Sequence, residues 1–275
     1  MMTPPDNLSA TLQRARQARR ISQLELSLRL QVSQRHISFV ESGRAKPSRE
    51  LLLTWLQNLH APMALQNAAM LQAGFAPIYT QAPLVDPYLA GARQALDALI
   101  TAHNPMPAFV LDAHWNILQN NRAGEWLLKT LLPDFGFSLM QKKPDAAINL
   151  IDLIIHPKGL TQCWVNFDET GPPLLAKLRD EASAQPQLRP KAEALAALIN
   201  NRYPNLQTQS VWPVQSSPVL TTRWSSKFGE LSFFSTFTTF GTPQDITLAS
   251  LKVEHLFAAD SHTEGILRRE LKASG

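Results

Sequence analysis

At 275 residues the chain is longer than one small module and leaves room for a second domain. A content of 44% hydrophobic and 17% charged residues supplies enough apolar material for a real core, which excludes a disordered or fibrous chain. Charge is divided unevenly: residues 1–79 hold nine Lys+Arg against four Asp+Glu and the remainder 17 against 18, so the formal excess of +4 comes from the N-terminal part alone.

No apolar run reaches the roughly 18 residues of a membrane span, and MMTPPDNLSA lacks the apolar core of a signal peptide. The expectation is a cytoplasmic protein with no membrane insertion. A single cysteine, Cys163, excludes an internal disulfide and a multi-cysteine zinc site.

After a polar lead from Thr3 to Asn7, Ser9 is the expected cap of a helix running through Leu12, Ala15 and Arg16 to Arg20. Ser22 caps the next, with Leu24, Leu26, Leu28 and Leu30 following. Ser33 caps a third, in which Ile37 and Val40 face inward. Gly43-Arg44-Ala45-Lys46-Pro47 is a breaker, Gly43 suiting a left-handed helix end and Pro47 preventing an early restart. Ser48 caps a fourth helix, whose Leu51, Leu52, Trp55, Leu56 and Leu59 repeat at three and four. Two short helices around a tight turn form the helix-turn-helix arrangement, in which the second helix enters the DNA major groove. A fifth helix follows Pro62, with Leu65, Ala68, Ala69 and Leu71 inward, and ends at Gly74.

Ile78 to Pro87 carries two prolines and reads as a linker. The expected domains are 1–79 for DNA binding, a linker at 80–87, and 88–275 for a second, α+β domain. That domain opens with an amphipathic helix from Tyr88 to His103, using Leu89, Ala92, Leu96 and Leu99. Strand, turn, strand and helix follow: Phe109 and Leu111 alternate in the first strand, Trp115, Ile117 and Gln119 share a face of the second, and Asn120 or Asn121 caps the helix. Ile148 to Ile155 is a short apolar helix closed by His156-Pro157, and Pro172 to Arg202 is helical, broken at Pro186 and Pro190. Val211 to Phe240 turns to strand chemistry with a turn near Lys227 to Glu230. Ile246 to Phe257 reads as a further strand, and Ser261 to Leu271 as a closing helix.

Ser22-Gln23, Leu26-Ser27, Val32-Ser33, Ile37-Ser38, Glu41-Ser42-Gly43 and Pro47-Ser48 together resemble the xenobiotic-response-element (XRE) type of helix-turn-helix, the family of many phage repressors. Gln31 stands at the turn position usually held by glycine, at a cost of about 1–2 kcal/mol if left-handed. Ser27 replaces the usual alanine. Four longer runs, SQRHISFVESGRAKPSRE, FVLDAHWNILQNNRA, INLIDLIIHPKGL and ELSFFSTFTTFGTPQDITLASLKVEHLFAAD, resemble the regulators with an MmyB-like ligand-binding domain. That resemblance implies a PAS-like second domain, a five-stranded antiparallel sheet with helices on one face around an apolar cavity, and a fatty acid as the associated ligand. Asp152 stands where that family commonly has a basic residue and Phe167 where it has tryptophan.

On the third helix, Gln34, Arg35 and Ser38 point away from the Ile37/Val40 face; Gln suits adenine and Arg suits guanine. The resemblance makes Gln34 and Arg35 the base-reading pair, puts Phe39 at a third groove-facing position, and pairs Arg16 with Glu41 inside the domain. Phe39 is open to two roles, a thymine methyl contact or core packing. Gln23 and Ser33 at helix N-termini, and Arg44, Lys46, Ser48 and Arg49 around the following turn, are candidates for phosphate contacts. For an effector pocket the candidates are Phe109, Trp115, Leu150, Ile154, Phe233 and Phe237, with His156 beside the apolar helix as a possible ligand contact. The wider aromatic run Phe228, Phe233, Phe234, Phe237 and Phe240 is open to plain core packing.

Nothing points to an enzyme, a metal or a cofactor. His156 lies seven residues from Cys163 without an elbow or oxyanion motif, His255 and His262 straddle an element boundary, and no phosphate-binding glycine loop occurs. The expected partners are double-stranded DNA carrying an inverted repeat, a small apolar ligand and a second copy of the chain in a homodimer. A DNA-binding protein whose second domain is a ligand-free dimerisation or partner-protein scaffold stands as the alternative.

Overall fold

A computed structural model describes residues 7–133, 148–204 and 219–272. The expected polar lead before Asn7 and the expected strand start at Val211 to Pro218 lie outside the described residues. Two compact units emerge, one of residues 1–83 with 242–249 and one of residues 84–241 with 250–275.

The first unit is built on five helices: α1 (Leu8–Ala18), α2 (Gln23–Leu30), α3 (Gln34–Glu41), α4 (Arg49–Asn58) and α5 (Met63–Gln72). Short-range capping sets most of their starts. Ser22, Ser33 and Ser48 each accept a hydrogen bond from the amide three residues on. The first cap is Asn7 rather than Ser9, its Oδ1 accepting from Ala10 N at 2.9 Å. Gln31 ends α2 left-handed, at φ 54° and ψ 38°. Leu12, Leu26, Ile37, Leu52, Trp55, Leu56 and Met70 fill the core. Leu24, Leu28 and Leu71 instead face outward, because α2 and α5 bury the faces carrying Leu26, Ser27 and Leu30 and Ala69 and Met70. The linker is tied down: Asn67 Oδ1 accepts from Ile78 N and Tyr79 N, and Asp245 Oδ2 accepts from Ala82 N at 3.1 Å.

The second unit begins with a 3-10 turn (Pro87–Leu89) and α6 (Ala90–Ala102), with Leu89, Leu96 and Ile100 as its buried face. Then come β1 (Ala108–Leu111), β2 (Asn116–Asn120), α7 (Arg122–Leu131), β3 (Ile148–Asn149), α8 (Leu150–Ile155), α9 (Phe167–Ala184), α10 (Arg189–Arg202), β4 (Thr221–Ser226), β5 (Gly229–Thr238) and, after α11 (Ile246–Ser250), nearly all of which belongs to the first unit, β6 (Lys252–Ala258) and α12 (Ser261–Lys272). The sheet is antiparallel throughout and six-stranded rather than five-stranded, in the order β3-β2-β1-β6-β5-β4. It is also covered on both faces. Leu96 and Leu99 of α6 share a small cavity with Val253 and Thr238 on one face, while α7 to α10 and α12 pack the other.

The expected strand from Ile246 divides into α11 and β6, since Asp245 caps the first turn through Thr247 N at 2.8 Å. Trp115 lies outside β2, in the β1–β2 turn, at φ 67°. Asp112 shapes that turn by accepting from His114 N and Asn116 N. Gly124 lets α7 touch β1, because a Cβ there would sit 3.0 Å from Ala108 O and from the Phe109 ring.

Candidate functional site

The exposed face of α3 follows from which side of it is buried. Ile37 and Val40 are in the core, and Glu41 anchors the last turn by accepting from Arg16 Nε and Nη2 at 2.7 Å each. That leaves Gln34 and Arg35 exposed and Ser38 and Phe39 half-buried on the outer side. Phe39 lies outside the apolar cluster. Its ring carries the guanidiniums of Arg35 and Arg44, with Cζ 5.0 and 5.8 Å from the centroid. Arg44, Lys46, Ser48 and Arg49 are all exposed around the α3–α4 turn, where Gly43 at φ 76° reverses the chain. Gln23 is drawn inward, its amide nitrogen donating to Glu41 Oε2 at 2.8 Å. Arg35, Phe39 and Arg44 thus meet on the outer side of α3, and the other candidates except Gln23 are exposed or half-buried on α3, its cap or the turn after it.

In the second unit a cavity of about 100 Å³ lies between the sheet and α7, α8 and α9. Phe109 from β1, Trp115 from the turn, and Leu150 and Ile154 from α8 line it, joined by α7 leucines, Trp164 and Trp224. Three further candidates do not. Phe233 is wholly buried beside Trp224, Phe237 at the end of β5 is 38% exposed beneath Lys177, and His156 is an exposed C-cap of α8 whose Nδ1 accepts from Lys158 N. Asp152 faces outward from α8 and pairs with Lys191.

The polar part of this site was not visible in the sequence. Thr222, Ser235 and Glu254 also line the cavity. Glu254 follows from β6 pairing, since Phe109, Phe237 and Leu256 fix which face its side chain takes. Burial pushes its carboxyl up, against opposing pulls from the Ser235 hydroxyl and the Lys252 and Lys177 ammoniums. Beside it, Lys252 lies 3.9 Å over the Trp115 ring and donates to both oxygens of Glu181, at 2.9 and 3.0 Å. Trp115 Nε1 donates to Glu181 Oε2 at 2.6 Å. Burial lowers the Lys252 pKa more than Glu181 raises it. Alternation along β6 alone would have put residues 252, 254 and 256 on one face, but not said which face held a cavity.

The remaining chemistry is structural. Burial pushes the Cys163 thiol up, opposite to what a nucleophile needs, and its Sγ donates to Leu160 O. Among the described residues, no helix is long and apolar enough to cross a membrane.

Residues 12–64 match the helix-turn-helix family, and residues 92–269 match the MmyB-like transcription regulator ligand binding domain. No curated protein matches the chain.

Proposed function

The chain belongs to the MmyB-like transcription regulators, with a helix-turn-helix ahead of their ligand-binding domain, and from that premise we propose how the two parts work. A homodimer reads an inverted-repeat operator in the cytoplasm, Gln34 and Arg35 contacting bases while Ser33, Arg44, Lys46, Ser48 and Arg49 hold phosphates. Ser38 and Phe39 flank the base contacts, and Gln23 acts through Glu41. An apolar effector occupies the second-domain cavity and shifts the dimer between a DNA-competent and an incompetent arrangement, which requires different affinities for the two.

The observation that carries the effector reading is the partly open apolar cavity walled by Phe109, Trp115, Leu127, Leu150, Ile154 and Trp224 in a domain of a ligand-binding family. At about 100 Å³ it takes a ring or a short acyl segment, and a longer fatty acid must part its walls. Medium-chain amphiphiles are therefore the first effectors to test. A ligand that binds only the folded state at a hundredfold excess over its Kd adds about 2.7 kcal/mol of stability, readable as a rise in Tm. Operator binding by the dimer should change at the same ligand concentrations. If no apolar amphiphile moves either readout, the second domain is a ligand-free scaffold; a monomer on the operator by light scattering refutes the dimer.

A further inference from the structure

We infer that the effector's polar end is an uncharged hydroxyl or amide seated against Glu254, and that Glu254 selects it over the carboxylate of a fatty acid. The inference rests on the effector reading above and narrows it to a ligand class. The geometry comes first. Among the described residues lining the cavity, Glu254 is the single titratable group; the rest are apolar or tryptophan except Thr222 and Ser235. Glu254 stands opposite Phe109 on β1 and Phe237 on β5, and it keeps accessible surface although protein surrounds it. Any head group reaching this wall meets a carboxyl.

Among the described residues, the charges that act on Glu254 have partners of their own. Lys252, two residues away on the same face of β6, is held on Glu181, and Lys177 of α9 lies 3.5 Å from Glu181 and over the Phe237 ring. On the β5 side the neighbour is the Ser235 hydroxyl. Among the described residues, none that lines the cavity is a cation to receive a carboxylate. Two carboxylates do not share one largely apolar wall without a cost, so while Glu254 is ionised a fatty acid binds only if it or Glu254 takes up a proton. A hydroxyl or primary amide needs none. Each both donates and accepts, so it pairs with Glu254 whether that group is a carboxylate or a carboxylic acid.

The test titrates the full-length protein with octanoic acid, 1-octanol, octanamide and octylamine at neutral pH, reading Kd by calorimetry and Tm in parallel. The alcohol and the amide should bind about tenfold or more tighter than the acid, a preference that two like charges in one apolar site would produce. Lowering the pH should tighten octanoic acid while leaving 1-octanol nearly unchanged. Glu254→Gln should reduce the alcohol-over-acid preference to below about threefold, since a neutral amide can donate to a carboxylate. Octanoic acid binding as tightly as the alcohol, or octylamine binding tightest, overturns the inference. So does a Glu254→Gln variant that folds yet keeps the full preference. Failure of all four probes to bind instead removes the effector reading itself, a separate outcome.

Discussion

Replacing Glu41 by alanine should destabilise the DNA-binding unit more than any surface change in it. Its carboxylate accepts three hydrogen bonds, two from the Arg16 guanidinium at 2.7 Å and one from Gln23 at 2.8 Å. Truncation leaves Arg16, only 8% exposed, with its bond to Ile21 O at 2.8 Å and no counter-charge. Removing one partner of such a buried pair costs about 3–5 kcal/mol. A domain of this size has about 5–15 kcal/mol in total, so the loss should be plain in calorimetric unfolding of the full chain. The pair joins α1 to the last turn of α3, so operator affinity should fall with stability. Replacing both partners, Arg16→Met with Glu41→Leu, should recover most of the loss, because no charge is then left stranded. A loss below about 1 kcal/mol, or a double variant no better than Glu41→Ala, would refute the account of a stranded guanidinium.

Arg35→Ala should weaken specific binding by about 1–3 kcal/mol and relax the sequence preference at one base pair, whereas Lys46→Ala should weaken all duplexes alike and flatten the salt dependence. Equal losses on operator and random DNA for Arg35→Ala would remove it from base reading. Gln31→Gly should stabilise the first unit by about 0.5–1 kcal/mol, as relief of the left-handed strain exceeds the added freedom of the unfolded chain; chemical unfolding measures it. Asp245→Asn should weaken the tie between α11 and the linker at Ala82 by about 1–3 kcal/mol. Burial raises the Asp245 pKa, but hydrogen bonds from Ala82, Thr80, Thr247 and Leu248 outweigh it and leave the pKa depressed. Its contribution is therefore fully present above the ordinary carboxylate pKa and lost as pH falls through the depressed one. Unfolding curves from pH 7 downward should show that loss in the parent and not in the asparagine variant.

The helix-turn-helix was legible because its instructions are local. Ser22, Ser33 and Ser48 each satisfy an amide three residues away, and Gly43 turns the chain at a position where a positive φ is easy. Spacing also pointed to Ile37 and Val40 as the inward face of α3, and hence to Gln34 and Arg35 as its open side. The same reasoning faltered where both faces of an element carry apolar residues: in α2 and α5 only packing against the other helices decided that Leu24, Leu28 and Leu71 stay outside. The second domain shows the limit more sharply. Four of the pocket candidates, Phe109, Trp115, Leu150 and Ile154, could be picked as apolar residues in a sensor-like stretch, yet Phe233 and Phe237 share a strand and meet opposite fates, one in the core and one at the surface. The polar wall was out of reach altogether. Glu254 becomes part of a cavity only because β6 pairs with both β1 and β5, nearly 150 residues apart from one of them, and Trp115 joins it only because Asp112 bends the turn into a left-handed step. Caps and turns act within a few residues and are written where they act; a cavity is made by strands and helices distant in sequence, and its chemistry exists only once their register is set.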